Sequence, residues 1–186
     1  VEYAGESYTK TPLTTDKSVT LRSLKDIKYN NIIEGGTAIG MGLATSVNRI
    51  KDSKAKSKVI ILLTDGVNNA GFIDPMTAAE LATEFQIKIY SIGLGTNGLA
   101  LSPVGIDSRG KFNYANVQVE IDEKLLTQIS EMTGGKYFRA TDNDRLKEIY
   151  SDIDELEKTE IEEFKYYSVD EKYRYFLLPA IILIAF

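Results

Sequence analysis

Five consecutive apolar residues, Val59-Ile-Ile-Leu-Leu63, run directly into Thr64-Asp65-Gly66. A run this short and this rich in β-branched side chains predicts a strand rather than a buried helix. Apolar residues at every position, not every second one, predict a strand covered on both faces, as in the middle of a parallel sheet flanked by helices. The acid and glycine that follow place a carboxylate just outside the strand's carboxyl end, where open α/β sheets hold their ligands. Asp65 is therefore the first candidate functional residue. Its bland role is to close a turn with Gly66.

The rest of the chain fits around that strand. Residues 87–94 form a second apolar run closed by Gly93-Leu94-Gly95, and 136–140 a shorter one. Helical spacing places Ile39, Leu43, Val47 and Ile50 on one stripe, and Leu125, Leu126 and Ile129 on another. Asp74-Pro75 is an N-cap and first-turn pair for an alanine-rich helix through Phe85. Thr141-Asp142 opens a long acidic helix striped with Leu146, Ile149, Ile153 and Leu156. At the start, residues 1–13 read as a hairpin about Gly5-Glu6, followed by a short helix for which Thr14-Thr15-Asp16 offers an N-cap, with a stripe of Val19, Leu21, Leu24 and Ile27. Strands alternating with helices predict an α/β fold, a doubly wound and mostly parallel sheet with helices on both faces. Residues 96–120 are expected to form a hairpin at the carboxyl edge. Its apolar residues would either pack on the helix that follows or face a partner.

Composition removes several chemistries. The 186 residues suit one domain with a sizeable core. With no cysteine and no histidine, thiol catalysis, zinc thiolate sites and histidine bases are excluded. A net charge of −5 argues against nucleic acid as a partner. The last eleven residues, 176–186, carry no charge, and Lys172, Tyr173, Arg174 and Tyr175 precede them. That is half the length of a membrane span with headgroup-boundary residues in front. The expected organisation is a domain over 1–158, a juxtamembrane connector over 159–172 and the start of a transmembrane helix over 173–186.

Three loops are expected to meet at the carboxyl edge: Gly35-Gly36-Thr37, Thr64-Asp65-Gly66 and Gly93-Leu94-Gly95. Hydroxyl and carboxylate oxygens are hard ligands, suited to magnesium, calcium or manganese. Two other readings compete. Gly36-Thr-Ala-Ile-Gly40-Met-Gly42 has the look of a phosphate loop, without its spacing or its lysine; close packing of the helix against the sheet explains Gly40 and Gly42 better. Asp65 paired with Asp74 or Asp107 would suit metal-assisted hydrolysis.

Gly36-Thr37 ahead of a helix, with a strand ending Leu63-Thr64-Asp65-Gly66, resembles the von Willebrand factor type A domain and its metal-ion-dependent adhesion site. The likeness is closer still to the Bacteroides aerotolerance (BatA-like) family. It runs through Tyr3-Ala-Gly-Glu-Ser7, Pro12-Leu-Thr-Thr-Asp16, Gly36-Thr-Ala-Ile-Gly-Met-Gly-Leu-Ala-Thr45, Thr64-Asp-Gly-Val-Asn-Asn-Ala-Gly71, Thr133-Gly-Gly-Lys-Tyr-Phe-Arg-Ala-Thr-Asp142 and the C-terminal apolar segment. The resemblance implies that Thr37 reaches the metal and Asp65 holds it through water. The family's Asp-x-Ser-x-Ser motif, which supplies the other ligands, does not occur in this sequence. The expectation is thus a domain truncated at both ends and lacking its first strand. It would bind Mg2+ in its full-length form; by themselves, two ligands do not hold an octahedral ion. The resemblance further implies a non-enzymatic, metal-ion-dependent interaction module anchored in the bacterial inner membrane. It would bind a protein partner offering a carboxylate, with a MoxR-type AAA+ ATPase and other Bat proteins as associates. Its role would lie in envelope protein assembly or oxidative-stress tolerance. The alternative is a metal- or nucleotide-dependent hydrolase.

Overall fold

The computed structural model describes residues 1–27, 35–95, 98–107 and 111–166. In chain order the elements are β1 (Glu2–Tyr3), β2 (Ser7–Tyr8), α1 (Lys17–Lys25), α2 (Ile39–Ile50), β3 (Val59–Thr64) and α3 (Pro75–Glu84). They continue with β4 (Lys88–Leu94), β5 (Gly98–Ile106), β6 (Phe112–Val119), α4 (Glu123–Met132), β7 (Tyr137–Ala140) and α5 (Asn143–Tyr166). Two units can be distinguished: Val1–Ser151, and Asp152–Phe186, whose described part is the remainder of α5.

Local chemistry starts the helices where the sequence indicates. Asp16, Asp74, Asp122 and Asp142 each accept from a backbone N–H two or three residues on, at 2.8–3.0 Å. These are N-cap bonds, which satisfy donors that a helix leaves open. Pro75 occupies the first turn of α3, where its missing N–H costs nothing.

The central sheet is parallel, in the order β3-β4-β7. Its register sets Ile60 beside Ile89 and Leu62 beside Ser91. Those apolar residues meet Ile39, Leu43 and Val47 of α2, Ala78, Ala79 and Ala82 of α3, and Leu126 and Ile129 of α4 in one core. The small α3 side chains allow close approach to both neighbouring helices. On the other face Tyr90, Ile92 and Phe138 are buried, and Ile149 in the first part of α5 is buried as well.

The strand that is covered on both faces is β4, not β3. Every residue of β4 from Ile89 to Gly93 is buried. In β3, by contrast, burial alternates: Ile60 and Leu62 lie inside while Ile61 is 37% exposed. Among the described residues β3 is an edge strand, with β4 on one side and no ladder on the other. Continuous apolarity says that a strand can be buried on both faces; it does not supply the covering element. Likewise α1 forms as expected but buries none of its residues. The opening hairpin is antiparallel as expected, though only two residues per strand are paired.

The expected connector from 159 is helical through Tyr166, as a continuation of α5. The expected membrane segment, 173–186, lies outside the described residues. No helix among the described residues is long and apolar enough to cross a membrane.

A candidate metal-binding edge

The ends of β3 and β4 and the start of α2 converge at the carboxyl edge of the sheet. Thr64 closes the turn after β3: its hydroxyl donates to the Gly66 carbonyl at 3.2 Å and accepts from the Gly66 N–H at 3.3 Å. That leaves Asp65 at the crest of the turn, exposed. Thr37 is half-buried opposite it, and a Cβ placed on Gly66 would stand 3.2 Å from the Thr37 hydroxyl. The fold therefore brings the hydroxyl of Thr37 against the residue that follows Asp65. The third expected loop ends at Gly95, whose N–H donates to the Ala140 carbonyl at 2.8 Å. No metal-ligating side chain comes from it.

The Thr37 loop is stitched to the Asp65 loop through backbone donors. The N–H of Thr37 donates to Asn69 Oδ1 and that of Ile39 to Asn68 Oδ1, both at 2.8 Å. In return the Asn69 N–H donates to the Thr37 carbonyl at 3.0 Å. The Ala38 N–H between them donates to the Ala4 carbonyl at 2.6 Å. Ala38 has no side chain to cap α2, so two asparagines 29 and 32 residues away do it instead. These three donors at the mouth of α2 are already satisfied, which removes them from any phosphate.

The glycines fit the packing explanation for the same reason. A Cβ on Gly40 would come within 2.0 Å of the Ile73 carbonyl oxygen, and one on Gly42 within 2.9 Å of the Tyr3 ring. The close neighbours are thus the loop before α3 and the opening hairpin, rather than the sheet. Gly36 combines a φ of +118° with a would-be Cβ 2.7 Å from that of Ala70. A side chain there would strain the backbone and push the two loops apart.

Tyr3 fills the space above Gly42 and donates from its hydroxyl to the Leu63 carbonyl at 2.7 Å. The bond ties the opening hairpin to the last turn of β3, two residues before Asp65. Burial pushes the Tyr3 phenol up to about 12, with a lowering contribution from Thr64 and a raising one from the Asp65 charge.

The paired-carboxylate arrangement finds little support. Asp74 accepts from the Thr77 N–H at 2.9 Å and Asp107 from the Lys111 N–H at 2.9 Å, so both serve local turns. Among the described residues no three His, Cys, Asp or Glu side chains gather where they could share a metal ion. Thr37 and Asp65 offer hard oxygens only, a donor set that fits a divalent cation in kind and would by itself complete only part of its shell.

Beside this edge, β5 and β6 form the expected hairpin, antiparallel with a bulge between Pro103 and Gly105. Residues 108–110, between the two strands in sequence, lie outside the described residues. Among the described residues neither strand packs extensively on another element, α4 included. Leu99, Val104 and Tyr114 are well exposed, at 72%, 56% and 54%. At the hairpin's base Arg139 donates through Nε to the Gly95 carbonyl at 2.7 Å and pairs with Glu123 at 2.6 Å.

Sequence reasoning selected Thr37 and Asp65 but passed over Asn68, Asn69 and Tyr3. The asparagines carried no local signal, because they cap a helix whose start lies 29 and 32 residues earlier in the chain. Nothing local to Tyr3 marks a bond to a carbonyl 60 residues away.

The sequence model of the von Willebrand factor type A domain matches residues 1–152. An uncharacterized protein of Borreliella burgdorferi is 31% identical over 186 residues, covering 99% of this chain and 53% of its own length. The chain thus spans about half the length of the curated relatives it matches. Among solved structures, BatB from Bacteroides thetaiotaomicron superposes with a TM-score of 0.63 at 26% identity, over 84% of this chain and 77% of that one. An aerotolerance-related membrane protein from Bacteroides fragilis, crystallised with multiple mutations to serine, gives 0.64 at 25% identity over 82% and 76%.

Proposed function

This chain belongs to the von Willebrand factor type A domain family, and on that premise we propose that it is a metal-ion-dependent protein-interaction module. The observation that carries the reading is the meeting of Thr37 with the Thr64-Asp65-Gly66 turn, held by Asn68 and Asn69. Thr37 would hold the ion through its hydroxyl and Asp65 through its carboxylate, directly or across water. A divalent cation there supplies an open position for a carboxylate of the partner protein. The chain's own part is to fix two hard oxygens on two loops that cannot drift apart. The exposed β5–β6 hairpin, leaving the sheet at the same edge, adds apolar surface for that partner.

The likeness to Bat proteins extends the proposal. Anchoring through residues 173–186 in a bacterial inner membrane, association with a MoxR-type AAA+ ATPase and other Bat proteins, and a role in envelope assembly or oxidative-stress tolerance all belong to it. The similarity to an aerotolerance-related membrane protein supports this reading.

Magnesium titration followed by calorimetry tests the site. With two protein ligands the chain is expected to bind in about the millimolar range, and Thr37→Val, which keeps the shape and removes the oxygen, to weaken binding further. Micromolar affinity that survives both Thr37→Val and Asp65→Ala would place the ion elsewhere.

A further inference from the structure

The loop that carries Asp65 also carries the most exposed large apolar side chain among the described residues: Phe72, at 85%. It lies between the end of β3 and the start of α3, both at the carboxyl edge of the sheet. Single apolar residues scattered over a surface are ordinary. Phe72 differs in how its backbone is held.

Both of its neighbours are seated against the start of α2. Gly71 has a φ of +81°, and a Cβ there would stand 2.7 Å from the Ala38 Cβ and 2.8 Å from the Met41 Cγ. The Ile73 carbonyl oxygen lies 2.0 Å from where a Gly40 Cβ would be. One residue on, Asp74 caps α3 by accepting from the Thr77 N–H at 2.9 Å. The backbone from 71 to 74 is thus fixed, while the ring between these contacts is left to solvent. An aromatic fixed before binding lowers the ordering cost of an interface, and aromatic residues and methionine are enriched in interfaces. Met41, half-buried beside Gly71, extends the apolar surface.

The same contacts set how far Phe72 lies from the metal edge. The Ala38 Cα is 3.6 Å from the Cβ position on Gly71. Allowing that bond and one Cα step of about 3.8 Å on each side, the Phe72 Cα is at most about 13 Å from that of Thr37. A standard interface covers about 800 Å² of each partner, a disc of about 16 Å radius. A partner centred on an ion at Thr37 and Asp65 therefore reaches Phe72.

We propose that Phe72 anchors the partner, seating an apolar side chain of the same segment whose carboxylate the ion takes. The inference rests on the metal-dependent reading above and adds the partner's second feature. Alone, Phe72 would serve any apolar surface; the carboxylate required at the same edge selects the class. An extended segment advances about 3.3 Å per residue, so the partner's apolar residue falls within about four positions of its Asp or Glu.

The test titrates the full chain, with magnesium above the millimolar range, against two synthetic peptides. One is a Gly-Ser peptide with a single Glu; the other adds a Leu about three residues after it. The Leu peptide is expected to bind about tenfold tighter. Phe72→Ser should erase that difference and leave magnesium binding and the affinity for the Glu-only peptide unchanged, while Phe72→Leu keeps most of it. A Leu preference unchanged in Phe72→Ser, or absent from the wild-type chain, overturns the proposal. Chelator separates this inference from the reading beneath it. Glu-only binding that EDTA abolishes, with no Leu preference, removes Phe72 and leaves the ion; a Phe72-dependent preference that survives EDTA keeps the anchor and removes the ion. A lower melting temperature or a dissociated dimer in Phe72→Ser would assign the ring to packing within the chain or between two copies, which also overturns the proposal.

Discussion

Replacing Tyr3 by phenylalanine keeps the ring over Gly42 and removes only the hydroxyl, which donates to Leu63 at 2.7 Å. A neutral hydrogen bond contributes about 1 kcal/mol net, and a part-buried carbonyl left without its donor raises the cost to about 1–2 kcal/mol. Alkali provides an independent check. With its phenol pushed up to about 12, against about 10 in an unfolded chain, Tyr3 stays neutral in the fold after it has begun to ionise in the unfolded state. A pKa raised on folding contributes stability that is whole below pH 10 and is lost as pH climbs toward 12. The loss amounts to about 1.4 kcal/mol at pH 11 and about 2.3 kcal/mol at pH 12. Tyr3→Phe has no such loss. Urea unfolding should therefore find the variant less stable at pH 8, with the two curves meeting near pH 11. Tyr137 and Tyr150, both raised by burial, titrate alike in both proteins and cancel in the difference. Equal stability at pH 8, or curves that stay parallel to pH 11.5, would refute the placement of this hydroxyl.

Asn69→Ala should lower stability by about 1 kcal/mol through the lost cap on Thr37, while Asn69→Asp, which keeps the acceptor, should lose less; thermal melts of the three proteins decide it. Weaker magnesium binding in Asn69→Ala than the change in stability accounts for would show that the clamp also positions Thr37. Arg139→Ala should cost no more than about 1 kcal/mol, because Glu123 is half-exposed and the pair is screened. Its visible effect should be faster hydrogen exchange at the Gly95 N–H, which donates to Ala140 beside the lost contact.

What could be read in the sequence was what is decided locally. The strand periods of β3, β4 and β7 and the four aspartate caps each rest on a few adjacent residues. The α2 cap was hidden because its acceptors come from the loop after β3, and Ala38 itself gives no sign of being capped. The strand end and the loop chemistry alone put Thr37 and Asp65 on an oxygen-lined edge; the metal role of each came only through the resemblance. The hairpin at 98–119 was legible as strands. That its described residues do not pack extensively on α4 was not, since an apolar alternation looks the same whether it faces a helix or solvent.

The same ambiguity explains β3. Its run of five apolar residues is a property of the chain, whereas coverage is a property of what packs against it. Ile61 is 37% exposed; Leu21 and Leu24 of α1, and Ile27 just after it, are exposed at 58%, 57% and 49%. Fully burying one such side chain stabilises by about 1.5–3 kcal/mol, so most of what these residues could contribute is not realised among the described residues. A shallow groove lined by Val1, Thr9, Leu13, Ile50 and Ile61 follows the unpaired side of β3. The strand that carries Asp65 is thus held by β4 on one side and, at its end, by the Tyr3 hydroxyl on the other. That is why one phenolic hydrogen bond matters more here than it would on β4, where ladders on both sides already fix the backbone.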